Sequence, residues 1–257
     1  MSTSAGRLLD GRTALVTGAS RGIGAACARA LGRAGAAVAV NYLNSAGPAG
    51  QVVRDIEESG SKAIAVRGDA SDAEAATALH EEVVTMLGDI DVLVCNAAGS
   101  AAAVHGSVVE AGDIIEGQIV TQFRSTMLLC RLVVPAMRAR KSGSIVFIGS
   151  TESRSSAPAV PHVAVAKATQ DALMRVLAAE LGPEGIRVNT VAPGLVPTDG
   201  SSAAITPSVV EAVTGSTALR RLGQAEDVGD AVLALASDLS RHITGAYVPV
   251  DGGLAMH

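Results

Sequence analysis

Thr17-Gly18-Ala19-Ser20-Arg21-Gly22-Ile23-Gly24 is the stretch on which the reading of this 257-residue chain turns. It follows an apolar run, Thr13-Ala14-Leu15-Val16, and leads into an amphipathic segment predicted as a helix from about Ile23 to Arg33. Glycines at a strand-to-helix turn allow a tight bend and the close approach of a pyrophosphate, and the helix N-terminus favours that anion. Outward from the turn, short apolar runs alternate with longer amphipathic segments. Strands are predicted at Ala37–Val40, Ala63–Val66, Asp91–Val94, Ser144–Ile148, Ile186–Val191 and Ala246–Val250. Helices are predicted at Gln51–Ser59, from a cap at Asp72 to Leu87, and at about Asp113–Arg140, His162–Leu181 and Asp227–Ser237. A stretch rich in Pro, Gly, Ser and Thr runs from Pro193 to about Ser216. This alternation implies βαβ units and a doubly wound parallel sheet in one α/β domain, 1–257, with residues 1–10 as an N-terminal tail. Such sheets bind ligands at the C-terminal ends of their strands.

Composition narrows the function. Hydrophobic residues make up 48% and charged residues 18%, which suits a buried core rather than a disordered chain. Aromatics are 2% and Trp is absent, so Ala, Val, Leu and Ile must build that core. The net charge is -5 and no basic cluster is present, which argues against a nucleic-acid partner. The three cysteines, Cys27, Cys95 and Cys130, are too scattered for a disulfide framework or a zinc site, and no metal is expected. No window approaches the about 18 apolar residues of a membrane span, and the first ten residues lack a secretory core, so a cytoplasmic location is expected.

Thr-Gly-x-x-x-Gly-x-Gly resembles the signature of the short-chain dehydrogenases/reductases, a family with a Rossmann-type sheet. Further matches follow in family order over about residues 10–253. Asp69 and the following Ala70 fit the adenine-contacting position, and Asn96-Ala97-Ala98-Gly99 resembles the Asn-Ala-Gly motif. Ser150 fits the active-site serine, and Pro193-Gly194-x-Val196-x-Thr198 the segment that holds the nicotinamide carboxamide. Asp251-Gly252-Gly253 fits the C-terminal motif. The resemblance implies a dinucleotide held by Gly18, Ser20, Arg21, Gly22, Ile23, Gly24, Asn41, Asp69, Ala70, Asn96, Ala97, Gly99, Lys167, Pro193, Gly194, Val196 and Thr198. The strand that would end in a ribose-binding acid ends instead in Asn41-Tyr42-Leu43-Asn44. Arg21 suits a 2′-phosphate, unless it is a solvated surface residue. NADP(H) is therefore expected over NAD(H).

The departure lies in the catalytic set. The family places Tyr-x-x-x-Lys on the helix after the fifth strand, one turn apart on one face. Lys167 fits the lysine, but four residues earlier stands Val163. The only tyrosines, Tyr42 and Tyr247, lie after the second strand and in the last one, where the family fold keeps both from this helix face. Gln122 aligns with the family's supporting Asn. The expected catalytic residues are therefore Ser150, Lys167 and Glu152, with Glu152 able to donate a proton if its pKa is raised, or else a solvated loop residue. His162 is expected at the surface or as a cap, and His105 in a loop. A bound water or a hydroxyl of the substrate are further proton sources. The stretch from Val196 to about Leu219 resembles the family's substrate lid. The leading expectation is an NADPH-dependent reductase of a carbonyl or conjugated enone, of polyketide-like or other secondary-metabolite type. A redox-silent cyclase, dehydratase or isomerase and a non-catalytic dinucleotide-binding subunit stay open. Relatives commonly form dimers or tetramers, and the stripe Met127, Leu128, Val134 is either such an interface or core.

Overall fold

The computed structural model describes residues 7–97, 108–155, 160–198 and 205–256. Seven strands, β1 (Thr13–Val16), β2 (Ala37–Tyr42), β3 (Ala63–Arg67), β4 (Val92–Cys95), β5 (Gly143–Ile148), β6 (Ile186–Pro193) and β7 (Tyr247–Val250), form one parallel sheet. Its order is β3-β2-β1-β4-β5-β6-β7. The chain winds outward from β1 to β3, then returns to place β4 on the other side of β1. A doubly wound sheet opens its ligand crevice at that reversal, beyond the C-terminal ends of β1 and β4.

The strands are short runs of Val, Ala, Leu and Ile because helices cover both faces. Alternate residues serve opposite layers. Ala14 and Val16 join the core under α1 (Gly22–Arg33), α2 (Ala46–Glu58) and α7 (Ala225–Ala236). Leu15 joins the core under α3 (Ala73–Leu87), α4 (Gly112–Arg140) and α5 (Pro161–Leu181). With no Trp in the chain, Phe147 is among the largest fully buried side chains. Asp72 caps α3 as its sequence position predicts, accepting the Ala75 N–H at 2.9 Å. Cys27, Cys95 and Cys130 are buried free thiols. Among the described residues no helix is long and apolar enough to cross a membrane.

Three boundaries differ from the sequence reading. The N-terminal tail gives way to ordered structure before residue 10: Leu9 is buried and its N–H donates to Ala34 O at 2.8 Å. α2 starts at Ala46 rather than Gln51, taking Gly47 and Pro48 into its first turn, where a missing N–H breaks no helical bond. The polar stretch after Pro193 contains a helix, α6 (Pro207–Ser216), started by Thr206, whose hydroxyl accepts the Val209 N–H at 3.4 Å, and by Pro207 at the first helical position. The lid predicted over Val196–Leu219 thus includes a helix, and its residues 199–204 lie outside the described residues.

Candidate active site

The glycine turn after β1 is latched to the loop after β4. Thr17 Oγ1 accepts the N–H groups of Asn96 and Ala97, each at 2.9 Å. Asn96 Nδ2 donates back to Thr17 O at 2.9 Å and Gly18 O at 3.1 Å. Side-chain-free positions make this closeness possible. A Cβ on Gly24 would lie 2.5 Å from both Asn96 Nδ2 and Gly18 O, and Gly22 takes φ +56° against Thr198. The N-cap residue, Arg21, makes no side-chain cap to α1, and the helix N-terminus suits an anion.

A groove of about 720 Å³ opens over this turn. Gly18, Ser20, Arg21, Gly22, Ile23, Gly24, Asn41, Asp69, Ala70, Asn96, Ala97 and Thr198, twelve of the expected cofactor residues, line it together. An amide cradle and a groove of mixed polar and apolar lining around it fit a dinucleotide. Gly99 lies outside the described residues, as do Ala98 and His105. Asn41 has a structural part as well. Its side chain is buried and committed, accepting from Gly18 N at 3.3 Å and donating to Val66 O at 3.4 Å and Gly68 O at 3.0 Å. It braces the turn from β2 and β3 at the wall of the groove that it helps to line. Arg21 spans the groove to Ser45, at the start of α2, at 2.9 Å, and Arg67 Nε holds Leu43 O at 3.0 Å. Two guanidinium groups therefore flank the loop where an acid would mark an NAD site. Sequence reasoning did not single out Thr121 and Ser125 of α4 as lining. They are one helical turn apart, but nothing local signals which face of a long helix meets a groove built elsewhere.

The other half of the site follows β5. Ser150 has an extended backbone and starts a 3-10 turn over Thr151–Arg154, its Oγ accepting the Glu152 N–H at 3.2 Å. Glu152 is half-buried in that turn. Lys167 is buried on α5, its ammonium donating to Ile148 O at 2.8 Å and Gln170 Oε1 at 3.0 Å. It stands behind the strand end and is not among the groove-lining residues. Burial lowers its pKa to about 8, against the pull of Asp171 and Cys95. Asp171, one turn further on, is pushed up by burial. Val163 stands one turn before Lys167, half-buried. Pro193, Gly194 and Val196 run off the end of β6, and Thr151 Oγ1 ties Pro193 O to the Ser150 turn at 3.3 Å.

One expectation about a candidate proton donor is overturned. His162 is neither a cap nor a surface residue: it is buried, desolvation lowers its pKa, and Nδ1 has no hydrogen-bond partner among the described residues. Tyr247 meets the Ser150 turn, while no contact among the described residues brings it to the α5 face that carries Val163 and Lys167. Its hydroxyl donates to Ser150 O at 3.0 Å, because β7 lies only one strand beyond β6 and Tyr247 pairs with Thr190 there. Gln122 is buried on α4, where its Nε2 meets Gln118 Oε1 at 3.1 Å.

Comparison with known proteins gives this geometry its family. Residues 18–255 match the family model described as enoyl-(acyl carrier protein) reductase. The L-rhamnose 1-dehydrogenase (NAD(P)(+)) of a Sphingomonas species is 36% identical over 250 residues, covering 96% of this chain and 98% of the relative. The cyclohexanol dehydrogenase of a Rhodococcus species is 36% identical over 263 residues, covering 96% and 97%. A solved 7α-hydroxysteroid dehydrogenase, complexed with NADH and 7-oxo glycochenodeoxycholic acid, superposes with a TM-score of 0.90 at 34% identity over 98% of each chain. A gluconate 5-dehydrogenase from Burkholderia cenocepacia, complexed with NADP and tartrate, gives 0.86 at 29% identity over 97% of each. The sheet, the latched glycine turn and these matches agree: the chain belongs to the short-chain dehydrogenase/reductase family of NAD(P)-dependent oxidoreductases.

Proposed function

We propose that this chain is an NADPH-dependent reductase of a carbonyl or conjugated enone whose proton does not come from the family's usual tyrosine. The observation that carries the reading is Val163, an apolar residue one turn before Lys167, while Ser150 and the dinucleotide groove are retained. Bound in the groove, the nicotinamide would supply a hydride to substrate carbon. The amides at the start of α1 would hold the pyrophosphate, and Asp69 would meet the adenine. Lys167 would hold the nicotinamide ribose, and Thr198 and the Pro193-Gly194 segment the carboxamide. Ser150 is suited to meet the reacting oxygen, because one of its lone pairs takes the Glu152 N–H and its own proton is left to donate. Glu152, next in the turn, is the proposed proton donor. An enone eases its task, since hydride goes to carbon and the enolate formed needs only a weak acid. A polyketide-like or other secondary metabolite fits, as a phenol on the substrate can relay the proton. Two relatives are named for ring alcohols, cyclohexanol and a hydroxysteroid, which favours ring ketones as probes. The test is NADPH consumption with cyclohexanone and cyclohexenone. Turnover of substrate without any change in NADPH absorbance would establish the redox-silent alternative.

Glu152→Gln is expected to lower kcat roughly 10²–10⁴-fold, the usual contribution of a positioned acid. Retention of full kcat removes Glu152 from the mechanism. The NADP(H) preference is supported by Arg21 bridging to Ser45 and by a β2 end without an acid. Arg21→Ala is expected to weaken NADPH binding roughly ten- to a hundredfold, the worth of charge-assisted phosphate contacts, and to leave NADH nearly unchanged. Titration of both cofactors checks this, and equal affinities in the wild type defeat it. Exposed apolar side chains on α4 and α5, Val120, Phe123, Val165 and Val176, support a homodimer or homotetramer. A monomer by light scattering refutes that. The free thiols support a cytoplasmic location.

A further inference from the structure

Tyr247 opens the edge strand β7 and has no part in the reaction as drawn so far. Its contacts converge on the backbone of Ser150. The Ser150 carbonyl accepts from Tyr247 OH at 3.0 Å, from Ser153 Oγ at 2.8 Å and from Ser153 N at 3.1 Å. The Ser150 hydroxyl oxygen accepts from Glu152 N at 3.2 Å. Both the peptide plane and the side chain of Ser150 are therefore pinned. The Tyr247 ring is itself held, with the Arg154 guanidinium stacked 3.6 Å from its centroid. A phenylalanine would give Arg154 the same kind of face, so what the phenol adds is its bond to Ser150.

The Ser153 hydroxyl completes the arrangement. It lies 2.8 Å from Ser150 O and 2.7 Å from Asp171 Oδ2, yet it has a single proton. A carbonyl can only accept, so Ser153 bonds to both when Asp171 carries the proton between them. Burial of Asp171 pushes its pKa in that direction. The Tyr247 phenol has the Ser153 hydroxyl as a neighbour on its own oxygen, while its proton goes to the Ser150 carbonyl and so cannot at the same time go to a substrate. Its role is thus separate from that of an acid.

We infer that Tyr247 is a positioning residue for the reaction, aiming the Ser150 hydroxyl at the reacting oxygen by holding the Ser150 carbonyl. This rests on the reductase reading given above. Direction matters more here than in a site with a phenol at position 163, because Ser150 is left as the hydroxyl donor beside the reacting centre. A donor helps only when aimed where charge develops.

The test is Tyr247→Phe, alone and combined with Ser150→Ala. The readouts are NADPH affinity by fluorescence titration, NADPH consumption with cyclohexanone and cyclohexenone, and amide hydrogen exchange over residues 149–155. In the single variant kcat is expected to fall roughly three- to tenfold, the worth of one neutral hydrogen bond, with NADPH affinity unchanged. In the Ser150→Ala background the same change is expected to cost nothing further, since a residue that acts through another is silent once its target is gone. The Glu152 and Ser153 amides are expected to exchange faster than in the wild type. Unchanged kcat in the single variant, or an equal loss in both backgrounds, overturns the inference. If the wild type consumes no NADPH with either probe, the reductase reading fails instead, and exchange decides the positioning on its own: wild-type rates at Glu152 and Ser153 overturn it.

Discussion

Lys167→Met is expected to abolish most turnover and to remove the rise in stability that the wild type shows between pH 8 and 10.5. The lysine is buried on α5 and its pKa falls from 10.5 to about 8, chiefly through desolvation. Below pH 8 it is protonated in both the folded and unfolded chain, and the folded state bears the whole desolvation cost. Between pH 8 and 10.5 the folded state releases its proton first, so wild-type stability rises relative to a variant without the amine. That gain is roughly 3 kcal/mol across the window, at about 1.4 kcal/mol per pH unit. The variant escapes this cost but leaves the buried Ile148 O and Gln170 Oε1 without their donor, at about 1–3 kcal/mol each. The two effects are of similar size at pH 7, so the mark of the buried amine is the pH dependence of the gap between the proteins, which moves by roughly 3 kcal/mol between pH 8 and 10.5. In the proposed mechanism the same substitution lowers kcat/KM roughly 10²–10⁴-fold by releasing the nicotinamide ribose. Thermal unfolding of both proteins from neutral to alkaline pH checks the first part. A gap between them that stays constant with pH would mean that the buried amine imposes no such cost.

Gly24→Ala is expected to remove NADPH binding. The new methyl carbon would sit 2.5 Å from Gly18 O and 2.5 Å from Asn96 Nδ2, and neither can yield cheaply. Gly18 O belongs to the turn backbone, and Asn96 Nδ2 is the latch that bonds to Thr17 O and Gly18 O. Relief requires opening the turn whose amides would hold the pyrophosphate. The expected loss is at least roughly a hundredfold in affinity, about 3 kcal/mol, with about 1–3 kcal/mol of stability lost from overpacking. Fluorescence titration with NADPH reads the first and thermal unfolding the second. Wild-type affinity in a folded variant would show that the turn does not carry the cofactor. The two variants separate the halves of the site, since one disturbs the phosphate end and the other the nicotinamide end.

Local chemistry wrote much of this molecule into its sequence. The period of the apolar runs produced seven strands and their helices, because a strand buried on both faces must be apolar throughout. The glycine turn, the Asp72 cap and the spacing of Val163 and Lys167 are contacts within one turn of chain, so their residue types alone carry them. Other features depend on which segments become neighbours. Asn41 sits at the end of β2 like a ribose ligand, yet the placement of β1 and β3 beside it commits its amide to Gly18, Val66 and Gly68. His162 reads as a helix-start residue, and packing buries it. Ser150 and Tyr247 are 97 residues apart and bond because β7 docks on β6 in the register that pairs Thr190 with Tyr247. Periodicity and turn chemistry thus determined the fold class and the phosphate turn from sequence alone, and the family resemblance supplied the rest of the groove. Strand order and register, set by burial of the whole sheet, decided which side chains meet around Ser150.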